Sequence, residues 1–241
     1  MTATAHCHAS DVNSPAAPGS KKGMIMATQH SILNIISPGD LVFDVGANRG
    51  SIAQEFARAG ARVVCIEPQP NLAAAIRDRF SMNPHVTVVE KGVGAIRGRS
   101  SMSISSETDI LSTFAEHWKV GRFKNMVWDQ QIEVPITTLD DLVSEFGTPR
   151  YCKIDVEGFE RDVVRGLSSK IGVISFEFTS EYIEHSMEVI EMLIRLGYRH
   201  FNVSIGDQPE FQWPDWVPYY EIVKALFLST SPDLWGDIYA R

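Results

Sequence analysis

A chain of 241 residues, 44% hydrophobic and 22% charged, is long enough for one sizeable globular domain. Its formal charge of -8 argues against a broad phosphate-binding face, so nucleic acid is not expected as the main substrate. No apolar run is long enough to span a bilayer, and Cys65 and Cys152 fall inside apolar strand patterns as reduced, buried thiols would, so a cytoplasmic compartment is expected.

Residues 1–23 are mainly Ala, Thr, Ser, Pro and His, a composition that cannot offset the entropy of ordering, and a disordered tail is expected there. Within it, His6-Cys7-His8 offers metal-ligating atoms but no enclosing geometry, and no metal site is assigned to it. Ile25, Ile32, Leu33 and Ile36 then recur at helical spacing before the Pro38-Gly39 stop. From residue 24 to residue 241 the chain reads as a single domain.

The stretch Leu41-Val-Phe-Asp-Val-Gly-Ala-Asn-Arg-Gly50 organises the rest of the chain. Its apolar run, broken only by Asp44, reads as a buried parallel strand entering a tight glycine turn. A helical pattern with Ile52, Ala53, Phe56 and Ala57 on one face stops at Gly60, and a second apolar run over residues 62–66 ends at Glu67-Pro68. Strand, glycine turn, helix, strand and acid form a nucleoside-binding βαβ unit, with Asp44, Gly46, Ala47, Asn48, Gly50, Glu67 and Pro68 as cofactor-binding candidates. A dinucleotide site would require a glycine where Asn48 stands. The turn instead suits a ligand with a ribose and no pyrophosphate, such as S-adenosyl-L-methionine.

Asn71 is a candidate cap for a helix carrying Leu72, Ala75, Ile76 and Phe80, and residues 86–89 read as a third strand. The following Gly92-Val93-Gly94 is either a wall for an adenine, which makes Val93 a further cofactor-binding candidate, or a turn serving the chain alone. Residues 98–131 hold Phe114, Trp118, Phe123, Met126 and Trp128 in no clean period, as expected of a lid or of a surface excursion. Strand-like alternation resumes over residues 132–136, and Thr138-Leu-Asp-Asp141 is a capping signature for a helix reaching Phe146. A strand at 171–178 and a helix at 184–196 come next. Two final strands, 198–205 and 221–228, are expected to pair antiparallel across an aromatic loop.

Lys153, Asp155 and Glu157 alternate in Tyr151-Cys-Lys-Ile-Asp-Val-Glu-Gly158, on one side of a strand that should be buried. Charges there are costly unless they meet a partner or a ligand. Together with Asp44, Glu67 and Glu177 they would fall along the carboxyl edge of one parallel sheet, where a cationic cofactor fits better than an anionic one. The bland alternative is a buried Lys153 ion pair, with Glu157 capping the next helix. A carboxylate cluster can also hold Mg²⁺, although this spacing does not demand a metal and none is assigned.

These segments resemble the FkbM family of S-adenosylmethionine-dependent methyltransferases. The resemblance rests on FDVGANRG with CIEPQP, VPITTLDDL feeding KIDVEGFE, and ISFEFTSE. It implies an α/β, Rossmann-like class I methyltransferase fold: three layers, α/β/α, with a mostly parallel seven-stranded sheet and a C-terminal antiparallel hairpin. It further implies methyl transfer, most often to a hydroxyl of a sugar, lipid or natural product. By position, Asp44, Gly46, Asn48 and Gly50 would line the methionine side, Glu67 would hold the ribose hydroxyls and Asp155 would sit near the sulfonium. Asp155 and Glu157 are the candidate bases that an alcohol nucleophile calls for, with Lys153 as a tuner and His117 and His185 as outsiders. Two other readings stay open: a non-catalytic cofactor-binding or scaffold protein, and an NAD-dependent oxidoreductase.

Overall fold

A computed structural model describes residues 32–105, 112–119, 124–206, 210–228 and 234–241. The expected tail, His6-Cys7-His8 and most of the expected first helix lie outside them. Only the end of that helix is described, with Ile32 and Ile36 buried.

The chain opens with β1 (Leu41–Val45), α1 (Ser51–Arg58), β2 (Arg62–Ile66), α2 (Pro70–Arg79) and β3 (Val86–Val89). An excursion comes next: β4 (Gly92–Val93), β5 (Gly98–Ile104), β6 (Ser112–Thr113), β7 (Gln130–Thr137) and α3 (Leu139–Phe146). The second half comprises β8 (Tyr151–Ile154), α4 (Glu160–Arg165), β9 (Val173–Thr179), α5 (Ile183–Arg195), β10 (His200–Ile205), β11 (Val217–Pro218), α6 (Tyr219–Leu228) and β12 (Trp235–Ala240). The main sheet has eight strands in the order β11-β10-β12-β9-β8-β1-β2-β3, and β4-β7-β5-β6 form a separate sheet.

Side chains alternate along each central strand and so build two cores. Phe43, Val45, Ile154, Phe176 and Phe178 pack against α3, α4, α5 and α6 on one face. Val42, Val63, Tyr151, Val173 and Tyr239 take the other, against α1, α2 and the buried Ile32 and Ile36. On this second face α1 packs against β1 and β2, and α2 against β3. The strands beyond them turn polar toward the carboxyl edge: Val42 gives way to Asp44, Tyr151 to Lys153, and Val173 to Ser175 and Glu177.

Helix α3 begins as expected. The Thr138 Oγ1 accepts from the Asp141 amide at 3.1 Å while Asp141 Oδ2 accepts from the Thr138 amide at 3.3 Å. Helix α2 instead has Gln69 at its cap, with no side-chain cap bond, and Asn71 lies inside the helix. Residues 98–131 are not featureless: they supply β5, β6 and the start of β7, whose Ser-rich strands hid the alternation.

The end of the chain corrects the expected hairpin. Residues 219–228 form a helix, with Ile222 and Leu226 buried one turn apart, rather than a strand. A short apolar run carries no unambiguous period, and here tertiary burial selects the helix. The last strand is β12, which inserts between β9 and β10 and runs antiparallel to both. The main sheet therefore has eight strands, not seven, the additional one being the two-residue β11.

Candidate active site

A cavity of about 370 Å³ opens over the carboxyl edge of the sheet, on the face that the first helices leave partly uncovered. The β1–α1 turn forms one wall. Gly46 has φ +84°, and a Cβ there would fall 1.9 Å from the Asp155 carbonyl oxygen, so only glycine lets this turn lie against the β8–α4 turn. Asn48 also adopts a left-handed conformation, at φ 51°, which asparagine tolerates better than most side chains. It thereby does the backbone work of the missing middle glycine.

Glu67 closes the unit. One carboxylate oxygen accepts from the Asn48 amide at 2.8 Å and the other from the Gln69 amide at 2.9 Å. Each oxygen keeps a lone pair directed elsewhere, as a ribose diol would require. Burial pushes the Glu67 carboxyl up to about 7, against the opposing pull of those two amides. Asp44 is raised to about 6, again chiefly by burial, and Lys153 acts to lower it. Its Oδ2 has no hydrogen-bond partner among the described residues.

Lys153 lies across from Asp44 on the neighbouring strand and reaches Asp155 Oδ2 at 2.9 Å. Burial would discharge its amine, but Asp155 and Asp237 outweigh that and hold it well above the usual lysine range. The expected alternation of Lys153, Asp155 and Glu157 on one strand holds only in part, because β8 ends at Ile154 and Glu157 sits at φ 53°. That turn aims Glu157 so that Asp155, Glu157 and Glu177 present oxygens within 4.8 Å of one another. Such a triad can hold a proton, a hydroxyl donor or a hard cation.

The second sheet roofs this edge. Thr113 Oγ1 donates to the Glu157 carbonyl at 2.7 Å, and Gln69 Nε2 donates to Ser112 Oγ at 3.0 Å, so β6 ties the Glu67 side to the Glu157 side. Met102, Ser112 and Phe114 reach the cavity from it.

Residues 44–200 match the family described as Methyltransferase FkbM domain. The chain belongs to the FkbM methyltransferase family. S-adenosylmethionine is the methyl donor of these enzymes. Among curated relatives, the 2-O-methyltransferase NoeI of Sinorhizobium fredii is 27% identical over 161 residues, 62% of this chain and 66% of NoeI. Ribosomal RNA small subunit methyltransferase A of Thermotoga petrophila is 39% identical over 51 residues, 21% of this chain and 20% of that protein. The chain thus matches less than two thirds of the length of either relative. Among solved structures, precorrin 8W decarboxylase of Methanobacterium thermoautotrophicum aligns at a TM-score of 0.50 and 15% identity, covering 95% of this chain and 96% of that one, a likeness of fold.

The cavity gathers Asp44, Gly46, Ala47, Asn48, Glu67, Pro68, Asp155 and Glu157 in its lining. Two sequence candidates are not in its lining. Gly50 stands behind the turn, where a Cβ would meet Phe80 at 2.9 Å, and Val93 is buried in the core as part of β4. Sequence reasoning missed Tyr151, Trp235, Asp237 and Tyr239, the last three because β12 was not recognised as a strand. The alternation of Trp235, Asp237 and Tyr239 was the available signal.

His117 and His185 pair behind the cavity wall, with ring nitrogens 3.1 Å apart. They border a smaller pocket with Glu160, and neither lines the larger cavity. No helix among the described residues is long and apolar enough to cross a membrane.

Proposed function

We propose that the protein transfers the methyl group of S-adenosyl-L-methionine to a hydroxyl oxygen of a sugar, lipid or natural-product acceptor. The observation that carries this is the fixed Glu67 carboxylate at one end of a cavity whose other charged groups are mostly acids. The residues present fit the cofactor. Glu67 offers two lone pairs to a diol, Gly46 lets the β1–α1 turn close against the Asp155 backbone, and the buried Asp44 Oδ2 invites a donor such as an amino group. Ala47, Asn48 and Pro68 complete that wall, and acids suit a sulfonium.

When bound, the sulfonium supplies an electrophilic methyl carbon. The chain then has to align an acceptor oxygen, exclude water and take a proton. Asp155 and Glu157 are assigned that proton, because both border the cavity and stand within 4.8 Å of Glu177, on which it can be shared. Lys153, ion-paired with Asp155 at 2.9 Å, orients that carboxylate. The reading routes nothing through a metal.

A hydroxyl acceptor is favoured by the likeness to NoeI, named a 2-O-methyltransferase. Nucleic acid is disfavoured as acceptor by the charge of -8, although ribosomal RNA methyltransferases are among the relatives. Calorimetry with S-adenosylmethionine and S-adenosylhomocysteine tests the reading, with Glu67→Ala as control. Micromolar-range binding lost in that variant is expected. Folded protein that binds neither ligand would move the scaffold reading to first place, and binding of NAD instead would favour the oxidoreductase. Asp155→Asn turning over normally would remove the assigned base.

A further inference from the structure

The end of the cavity farthest from β2 is built by β12. Trp235, Asp237 and Tyr239 alternate along that strand and all three border the cavity. β12 lies three strands from β1, roughly 14 Å at ordinary strand spacing. The turn and acid assigned to the cofactor end β1 and β2, and Asp155 follows β8, between that end and β12. A ligand on β12 would therefore lie on the far side of Asp155 from Glu67.

Two features fix what β12 presents. The strand is hydrogen-bonded on both edges, to β9 and to β10, and Gly236 is pressed so tightly on β10 that a Cβ would fall 2.0 Å from the Ser204 carbonyl oxygen. At its start Trp235 lies over Gly206, whose amide donates to the Trp235 carbonyl at 2.7 Å. The indole is thus a fixed, half-buried wall beside a carboxylate two residues on.

Asp237 is paired directly opposite Glu177 across the antiparallel ladder, and both line the cavity. Lys153 balances part of the charge on Asp237, and two carboxylates so placed favour a ligand that donates hydrogen bonds to them. A flat wall next to paired acceptors matches one kind of molecule. The C–H face of a pyranose ring can rest on the electron-rich indole while neighbouring hydroxyls donate to the carboxylates. An acceptor bearing a phosphate or carboxylate at this end would meet acids instead.

We propose that Trp235 and Asp237 form the acceptor subsite, that it takes an uncharged sugar ring bearing vicinal hydroxyls, and that Asp237 with Glu177 excludes acidic sugars. The inference deepens the methyltransferase reading and rests on it.

The test uses the full chain with saturating S-adenosylhomocysteine and ligand-observed NMR. The probes are neutral methyl hexosides and 6-deoxyhexosides, methyl glucuronide as the acidic counterpart and methyl glucosaminide as the cationic one. A neutral glycoside should bind, and glucuronide should not. Asp237→Asn should weaken the neutral glycoside about tenfold, the loss of a charge-assisted hydrogen bond. Trp235→Ala should abolish its binding, with Trp235→Phe as a milder variant retaining part of it. Asp237→Lys should reverse the preference toward glucuronide. S-adenosylhomocysteine binding unchanged in each variant certifies the fold and keeps this test separate from that of the cofactor.

No neutral glycoside binding to the wild-type chain, glucuronide binding equally well, preference for the glucosaminide, or indifference to both substitutions would each overturn the subsite. Absence of S-adenosylhomocysteine binding in the wild-type chain would instead overturn the methyltransferase reading beneath it.

Discussion

Gly46 and Asp155 meet where the two halves of the site join: a Cβ on Gly46 would lie 1.9 Å from the Asp155 carbonyl oxygen. The Asp155 amide in turn donates to the Val45 carbonyl at 2.9 Å, so the turn after β1 and the turn after β8 are held as one unit. The wall assigned to the cofactor and the carboxylate assigned to catalysis cannot shift independently.

Gly46→Ala should therefore lose about 3 kcal/mol or more, combining an overpacked backbone contact with a left-handed φ of +84°. Asn48→Gly, at φ 51°, should change stability by less than about 1 kcal/mol, because glycine accepts that conformation and only chain entropy is lost. Urea unfolding of both variants separates a steric role from a merely permissive one. Equal stabilities would contradict the close approach.

Cofactor affinity should rise with pH. Glu67 is raised to about 7 and must be ionised to accept two hydroxyl protons well, so binding of S-adenosylhomocysteine should be about tenfold weaker at pH 6 than at pH 8. Asp44, raised to about 6, acts in the same direction at the lower end of that window. Glu67→Gln should flatten most of the dependence. Calorimetry at three pH values decides it, and a wild-type affinity independent of pH would separate Glu67 from the ribose.

Stability should move the opposite way. Burial raises Glu160 to about 7 from 4.5, so between those values the folded chain keeps a proton that the unfolded chain has lost. Unfolding then releases a proton, and stability falls as pH rises through that window, by roughly 3 kcal/mol for this one group. Glu160→Gln keeps an oxygen for the Val156 and Gly158 amides, which Glu160 Oε1 accepts at 3.3 and 3.2 Å. The variant should melt near the wild type at pH 5 and above it at pH 8. A difference that does not grow with pH would place the titration elsewhere.

Lys153→Met should leave Asp44, Asp155 and Asp237 facing one another without the amine that holds them, at a cost of about 3 kcal/mol at pH 8. The loss should shrink toward pH 5, where Asp44 takes up a proton. Thermal melts at the two pH values check both magnitude and sign. A variant as stable as the wild type at pH 8 would show that the lysine serves only the ligand.

The sequence by itself carried the βαβ unit, because a buried strand, a glycine turn and an acid at the end of the next strand are local patterns. Asp44, Gly46, Asn48 and Glu67 were legible for that reason, and so was the capping box at Thr138. KIDVEGFE announced its charges, since Lys153 and Asp155 inside an apolar run are conspicuous without coordinates. What only tertiary structure decided was the partner of each. Glu157 turns toward Glu177 through a left-handed backbone that no side-chain period encodes. Residues 219–228 became a helix, and 235–240 a strand, because the slot between β9 and β10 was open to a strand and the outer face needed Ile222 and Leu226. Burial, a property of the assembled sheet, settled those choices where local propensity was balanced, and through β12 it brought Trp235 and Asp237 to the cavity.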